Sequence, residues 1–394
     1  MINNKIINLF DNDNNKGNTK NIVPIRIKQA RILRGMTMED LSKSIDITKQ
    51  AISKIEMGTL NVSPGTLLKI SEALNFPIHF FSKEIIMNQN SEDSITFFRT
   101  KKIPAKTASA WNELIEIINY DIIGYIKSYF NLPEANFPDI SDISSDERYT
   151  NEDIERIAMR LRKYWELGSG PINNLAHVAQ KNGIIVVRIN LNDNKTDAFS
   201  KWKNKTPYIL LNAYKNNLFR SRFDLAHEIG HLILHNGIDP NKFANDEIED
   251  EANKFASAFL LPEDAFGDEV YTITLDSLLP LKKRWKVSVN AMTRRCLSLG
   301  FITQERYTSL QKQISARRWR TAEPLDDIYL PEKTQMLNEC LEVLIENNIL
   351  DKNTFLDDIA LSKLDLCDIM GLPRNYFEDN IIKSDFLVNN KPKH

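Results

Sequence analysis

Apolar residues recur at helical spacing along most of this chain and form strand-like runs in only a few places. Between about Pro24 and Phe81 short helical patterns alternate with "RGMT", "IDIT" and "GTLNVSPG". There Ser63-Pro64 reads as N-cap and first residue of the helix "PGTLLKISEAL". "SITFFRT" (94–100) is expected to be a short strand or linker, followed by one long helix from about Thr107 to Phe130. Two prolines and a run of acids and serines in "NLPEANFPDISDISSDERYT" mark a hinge-like boundary. Thr150 then caps a helix through "IERIAMRLRKYWEL", which "GSGP" (168–171) stops. A helix over 172–182 precedes two β-branched runs, "GIIVVRI" (183–189) and "PYILLN" (207–212), which read as strands. Helices follow at about 217–235, ended by Asn236-Gly237, and about 246–260, stopping at Pro262. The remainder reads as short helices, and no internal repeat is found.

This pattern predicts a mainly α protein with a small β-sheet, of the α+β class. Its expected parts are a flexible Asn-rich tail (1–20), a five-helix module (21–84), a helical linker region (85–150), a domain carrying the two strands (151–270) and a C-terminal helical region (271–394). Composition changes the picture only at the margins. The formal net charge of −2 excludes a polycationic nucleic-acid coat. Residues 21–84 nevertheless hold nine Lys/Arg against six Asp/Glu, enough for one small DNA-reading module. Three distant cysteines without a C-x-x-C pair argue for a reducing cytoplasm and against Cys-ligated zinc. No apolar run of membrane-spanning length or secretory leader is read, so no membrane partner is expected.

Candidate chemistry concentrates in "HEIGHLILHNG", which packs three of the six histidines into nine positions. His227 and His231, one helical turn apart, can direct two imidazole nitrogens at one ion. Glu228 is turned away from that pair but within reach of a water molecule beside the ion, the mechanical content of H-E-x-x-H. The rest of the helix is apolar over most of its circumference and should be buried, so its polar stripe must face partners or a metal. His235, one turn on, is expected to hydrogen-bond behind a ligand or to cap the helix. Gly230 is expected to admit a neighbouring backbone closely.

A catalytic zinc site usually takes a third protein ligand. In "NDEIEDEANKFASAFLLP" the carboxylate falling inside the apolar arc is Glu249, with Glu251 as fallback. Glu251 and the other acids read as ordinary solvated groups, and Asn253 can support a ligand histidine. "RFDLAHEIGHLILH" followed by "EDEANKFASAFLLP" resembles the ImmA/IrrE metallopeptidases. "LRKYWELGSGPINNLAHVAQKNGIIVV" and "TDAFSKWKNKTPYILLN" resemble their lead-in, over about residues 90–320. The resemblance implies a zincin-like (gluzincin) peptidase domain with metal ligands His227, His231 and Glu249 and catalytic Glu228. It implies zinc, with manganese or iron also compatible with two His and a carboxylate. In the expected peptide hydrolysis Glu228 takes a proton from water and passes it to the leaving amine. An extended substrate is expected to add to the sheet edge through "PYILLN".

In "MEDLSKSIDITKQAISKIEMG" a helix ends near Ile45, Asp46 takes the turn, and Thr48 caps a second helix. There Ala51, Ile52 and Ile55 face inward while Lys49, Gln50, Ser53 and Lys54 face outward, which suits a recognition helix in the major groove. Residues 24–82 resemble the XRE-type helix-turn-helix. That resemblance implies base-facing Lys49, Gln50 and Lys54 and a buried Arg31–Glu56 salt bridge; Met57 stands where a polar residue is usual. The leading expectation is an intracellular zinc endopeptidase that binds an operator, as a homodimer by analogy with such modules, and cleaves a repressor-like protein. The alternatives are a DNA-binding regulator whose metal site is sensory or structural, and an antitoxin-like interaction protein. A purely structural zinc site needs no glutamate beside its first ligand and is normally closed by four protein ligands, which favours the first.

Overall fold

The computed structural model describes residues 22–85, 105–143, 148–189, 197–214, 216–236 and 245–378. The expected tail, the "SITFFRT" segment and Gly237 lie outside them.

The N-terminal module comprises α1 (Pro24–Leu33), α2 (Met38–Ser44), α3 (Lys49–Glu56), α4 (Pro64–Leu74) and a 3-10 turn, Ile78–Ser82. Its local causes are those of the sequence. Thr37 and Asp40 form a capping box on α2, Thr48 accepts the Ala51 N–H, and Ser63 accepts the Thr66 N–H with Pro64 opening the helix. Asp46 takes a left-handed φ of 55° between α2 and α3. Arg31 donates from Nε and Nη2 to the two Glu56 oxygens at 2.6 and 2.8 Å, a buried fork that ties α1 to the end of α3.

The single long helix expected over 107–130 is interrupted. α5 (Ala105–Ile117) runs into a π-helical turn, Ile118–Ile123, before α6 (Gly124–Lys127). The turn carries Asp121, whose carboxylate accepts both Arg26 Nη atoms at 2.6 and 2.8 Å and faces Lys83 Nζ at 3.2 Å. A long-range charge pairing invisible to periodicity thus coincides with the break.

α7 (Asn151–Tyr164) starts on a Thr150–Asp153 capping box, and α8 (Leu175–Lys181) on Asn174. Three strands follow: β1 (Ile185–Ile189), β2 (Ala198–Lys203) and β3 (Thr206–Asn212). β2 was not foreseen, because its Lys, Ser and Trp break the run of β-branched residues. The order is β1-β3-β2, with β1 parallel and β2 antiparallel to β3. "PYILLN" is therefore the central strand, paired on both sides, and cannot accept an added peptide; the expected docking edge is corrected. Among the described residues β1 and β2 pair on one side only.

Both faces of the sheet are covered. Val186, Ile209 and Leu211 join a core with α9 (Leu218–Leu234), α10 (Asn245–Leu260) and α7. Helices α11 (Glu263–Gly267), α12 (Leu278–Trp285), α13 (Val289–Ser298) and α14 (Gln304–Ala316) extend that core. Ile185, Val187, Phe199, Tyr208 and Leu210 face a second core shared with the N-terminal module and α5. The last helices, α15 (Met336–Glu346), α16 (Lys352–Ile359) and α17 (Lys363–Met370), also belong to this second core. Arg34, the C-cap of α1, forks onto Asp365 of α17, and Lys83 Nζ donates to the Asp358 carbonyl. No described helix is long and apolar enough to cross a membrane.

Candidate metal centre and recognition helix

Asn217 accepts the Arg220 N–H to start α9, which packs along α10 through Leu225, Ile229, Phe255 and Phe259. A Cβ at Gly230 would lie 2.9 Å from Phe255 Cδ1, so the close neighbour is an aromatic ring of α10, not the backbone expected. That contact draws the two helices together where their polar groups meet.

The structure brings His227, His231 and Glu249 together, with one potential donor atom of each within 4.8 Å of the others. The two Nε2 atoms face each other at 2.9 Å, and Glu249 Oε2 and Oε1 lie 3.4 and 3.3 Å from them. Nitrogens aimed at each other require a proton or a cation between them. Two imidazoles and a carboxylate converging in this way fit a divalent cation.

Electrostatics point the same way. Burial, with the neighbouring His227, pushes His231 down to about 3, so its ring is neutral at ordinary pH. Burial works against ionisation of Glu249, but its contacts with His227 and His231 outweigh it and hold the carboxyl well below its usual range. Burial also lowers His227, yet its bond to Glu249 and the charge of Glu228 leave it raised overall. Glu228 lies outside the trio. Its Oε2 accepts Ser200 Oγ of β2 at 2.5 Å, and burial pushes it up to about 7.

Behind the converging atoms, His227 Nδ1 meets Asn253 Oδ1 at 3.2 Å. His231 Nδ1 meets His235 Nδ1 at 3.1 Å, and His235 Nε2 meets Glu251 Oε2 at 2.9 Å. Glu251 is a correction: it is not a solvated acid but 4% exposed, paired with His235 and with Arg148 Nε at 2.8 Å. Its flank of α10 leaves the apolar arc yet is covered by α9 and by the segment leading into α7. Sequence reasoning missed Ser200 and Arg148. Strand alternation would have found Ser200 had β2 been recognised; nothing local singles out Arg148. Beside Asn253 opens a cavity of about 600 Å³, lined also by Phe223, Asp224, Arg220 and Trp319.

On α3, Lys49, Gln50 and Lys54 are exposed and Ser53 half-buried, while Ile52 and Ile55 are fully packed. Met57 is 65% exposed at the helix end.

Fold and site together define a helix-turn-helix protein with a second, mixed α/β domain built around a His-His-Glu cluster. Residues 27–81 match the helix-turn-helix family model, and residues 179–297 match the peptidase M78 model, described as the IrrE N-terminal-like domain. The chain thus carries an XRE-type helix-turn-helix domain followed by an ImmA/IrrE-type domain. Among curated proteins, an uncharacterised HTH-type transcriptional regulator of Sinorhizobium medicae is 42% identical over 59 residues, 15% of this chain. Another, from Rhizobium meliloti, matches to the same extent. The chain spans 42% of the length of these relatives.

Proposed function

We propose that the protein is an intracellular metal-dependent endopeptidase that acts on a repressor-like protein, with α3 directing it to DNA. The observation that carries this reading is the convergence of His227, His231 and Glu249, with Glu228 beside them and outside the donor set. A divalent ion, zinc or manganese, held by those three residues would supply Lewis acidity toward a scissile carbonyl and ease ionisation of water. The chain's own residues do the rest. Glu228, ionised, accepts a proton from the attacking water at its carboxylate and returns it to the departing amine nitrogen. Ser200 Oγ holds the Glu228 carboxylate in place during both transfers. The cavity beside Asn253 receives substrate residues on one side of the site, and the edge of β2 that is unpaired among the described residues lies on the strand that carries Ser200, the partner of Glu228. Lys49, Gln50, Ser53 and Lys54 present donors to base edges and phosphates.

The test is digestion of repressors encoded beside the gene by zinc-loaded protein, compared with Glu228→Gln. Cleavage by the wild type alone is expected; identical uncut substrate in both removes the peptidase reading. The names of the matched relatives favour a second reading, a DNA-binding regulator whose metal site senses or stabilises. It predicts that Glu228→Gln leaves regulation intact, whereas Lys49→Ala with Gln50→Ala abolishes it.

A further inference from the structure

We infer that Arg148, Glu251 and His235 form a directional hydrogen-bond relay that fixes the tautomer of His231, leaving its Nε2 lone pair free for the cation. The inference rests on the metal-site reading above and adds three positioning residues to it.

The argument is one of donor and acceptor bookkeeping along a buried line. Arg148 is a permanent donor, and its Nε lies 2.8 Å from Glu251 Oε1 while Nη1 lies 2.5 Å from Glu247 Oε2. A carboxylate facing a guanidinium is ionised and can only accept. The other Glu251 oxygen, Oε2, is 2.9 Å from His235 Nε2, so that nitrogen must carry a hydrogen and donate. His235 is fully buried, and a neutral ring protonated on Nε2 carries its lone pair on Nδ1. That lone pair faces His231 Nδ1 at 3.1 Å, so His231 must donate from Nδ1. Its Nε2 is then the unprotonated nitrogen, and it is the atom that meets Glu249 and His227. With both rings neutral, reversing any one link would set two donors or two acceptors face to face in a water-excluded place, where an unmade hydrogen bond is costly.

The two histidines of the centre are thus held differently. His227 Nδ1 donates to a neutral amide, Asn253 Oδ1, at a half-buried position. His231 donates into a relay ending on a carboxylate, which orients the ring and raises its basicity toward a cation. The relay joins three regions distant in the chain: α9, α10 and the residue two positions before the Thr150 cap of α7.

Zinc affinity of the full-length chain, measured by competition against a chromophoric chelator, tests the relay without any substrate. Glu251→Gln removes the charge, and His235→Phe keeps a ring but removes the acceptor. Each is expected to weaken zinc binding about 10- to 100-fold in protein whose circular dichroism shows it still folded. Wild-type affinity in both variants, with zinc lost in His231→Ala, overturns the relay and leaves the site reading standing. A wild type that holds no zinc overturns both. Should the variants not fold, nitrogen NMR of histidine-labelled, zinc-loaded wild type decides. Hydrogens on His235 Nε2 and His231 Nδ1 alone support the relay, and a hydrogen on His235 Nδ1 overturns it.

Discussion

The two polar faces of this molecule, on α3 and on α9, are built on opposite terms. On α3 the lysines and the glutamine stand in solvent above an apolar underside, and the one buried charge pair, Arg31–Glu56, serves to hold the helix. On α9 the histidines lie inside the protein, and each ring nitrogen is answered by a named neighbour. An exposed face is satisfied by water until a partner replaces it, so its structure says little about which partner that is. A buried face must be satisfied internally, so its neighbours are fixed by the fold and restrict what it can hold. The difference gives the His-His-Glu cluster a defined set of neighbours and leaves open what α3 meets.

Four experiments break or sharpen that contrast. The largest effect is expected from Glu228→Gln, which should cut peptide hydrolysis about 10²- to 10⁴-fold while zinc content and DNA affinity stay unchanged. Turnover assays beside metal analysis and DNA titration check this. Next, Glu56→Gln leaves Arg31 buried without its anion and should cost about 3–5 kcal/mol of stability. Thermal unfolding and hydrogen exchange over α1–α3 read that loss, while zinc affinity should not move. Lys49→Ala should then cost about 1–3 kcal/mol of operator affinity if it meets a base, with no change in melting temperature. Fluorescence anisotropy at two salt concentrations separates this from a phosphate contact, which would instead flatten the salt dependence.

The last experiment concerns pH. Because the metal-free fold raises His227, a proton occupies the site over a wider pH range than on a free imidazole. As pH falls through that range the cation must displace the proton, so apparent zinc affinity should fall on going from pH 8 to pH 6. The expected slope is about tenfold per pH unit for each proton displaced. Zinc titrations at several pH values would show it, and a flat profile would contradict the proton placement at His227.

Much of this was legible from the chain, and the exceptions follow a rule. His227 and His231 are neighbours by helical geometry alone, and Glu249 is the acid that the apolar arc of α10 selects. Thr48, Ser63 and Thr150 announced helix starts because capping is a contact over three residues. Failures came where partners were distant. Glu251 looked solvated because its partners lie on α9 and at Arg148, 103 residues away. The π-helical turn went unread because Asp121 answers to Arg26, 95 residues earlier. β2 was missed because its polar residues are buried against helices the sheet alone does not reveal, Ser200 against Glu228 and Lys203 against Glu116.

The sequence by itself determined most of the helices, the polar outer face of α3 and the pair of imidazoles, since backbone hydrogen bonding and side-chain periodicity act over a few residues. Only the tertiary structure decided that "PYILLN" is an inner strand and that Glu251 stands behind His235. It also decided that the last helices grip the N-terminal module through Arg34 and Asp365, 331 residues apart. Such pairings depend on which faces meet once the cores form, and a buried charge goes wherever the assembled chain offers its complement.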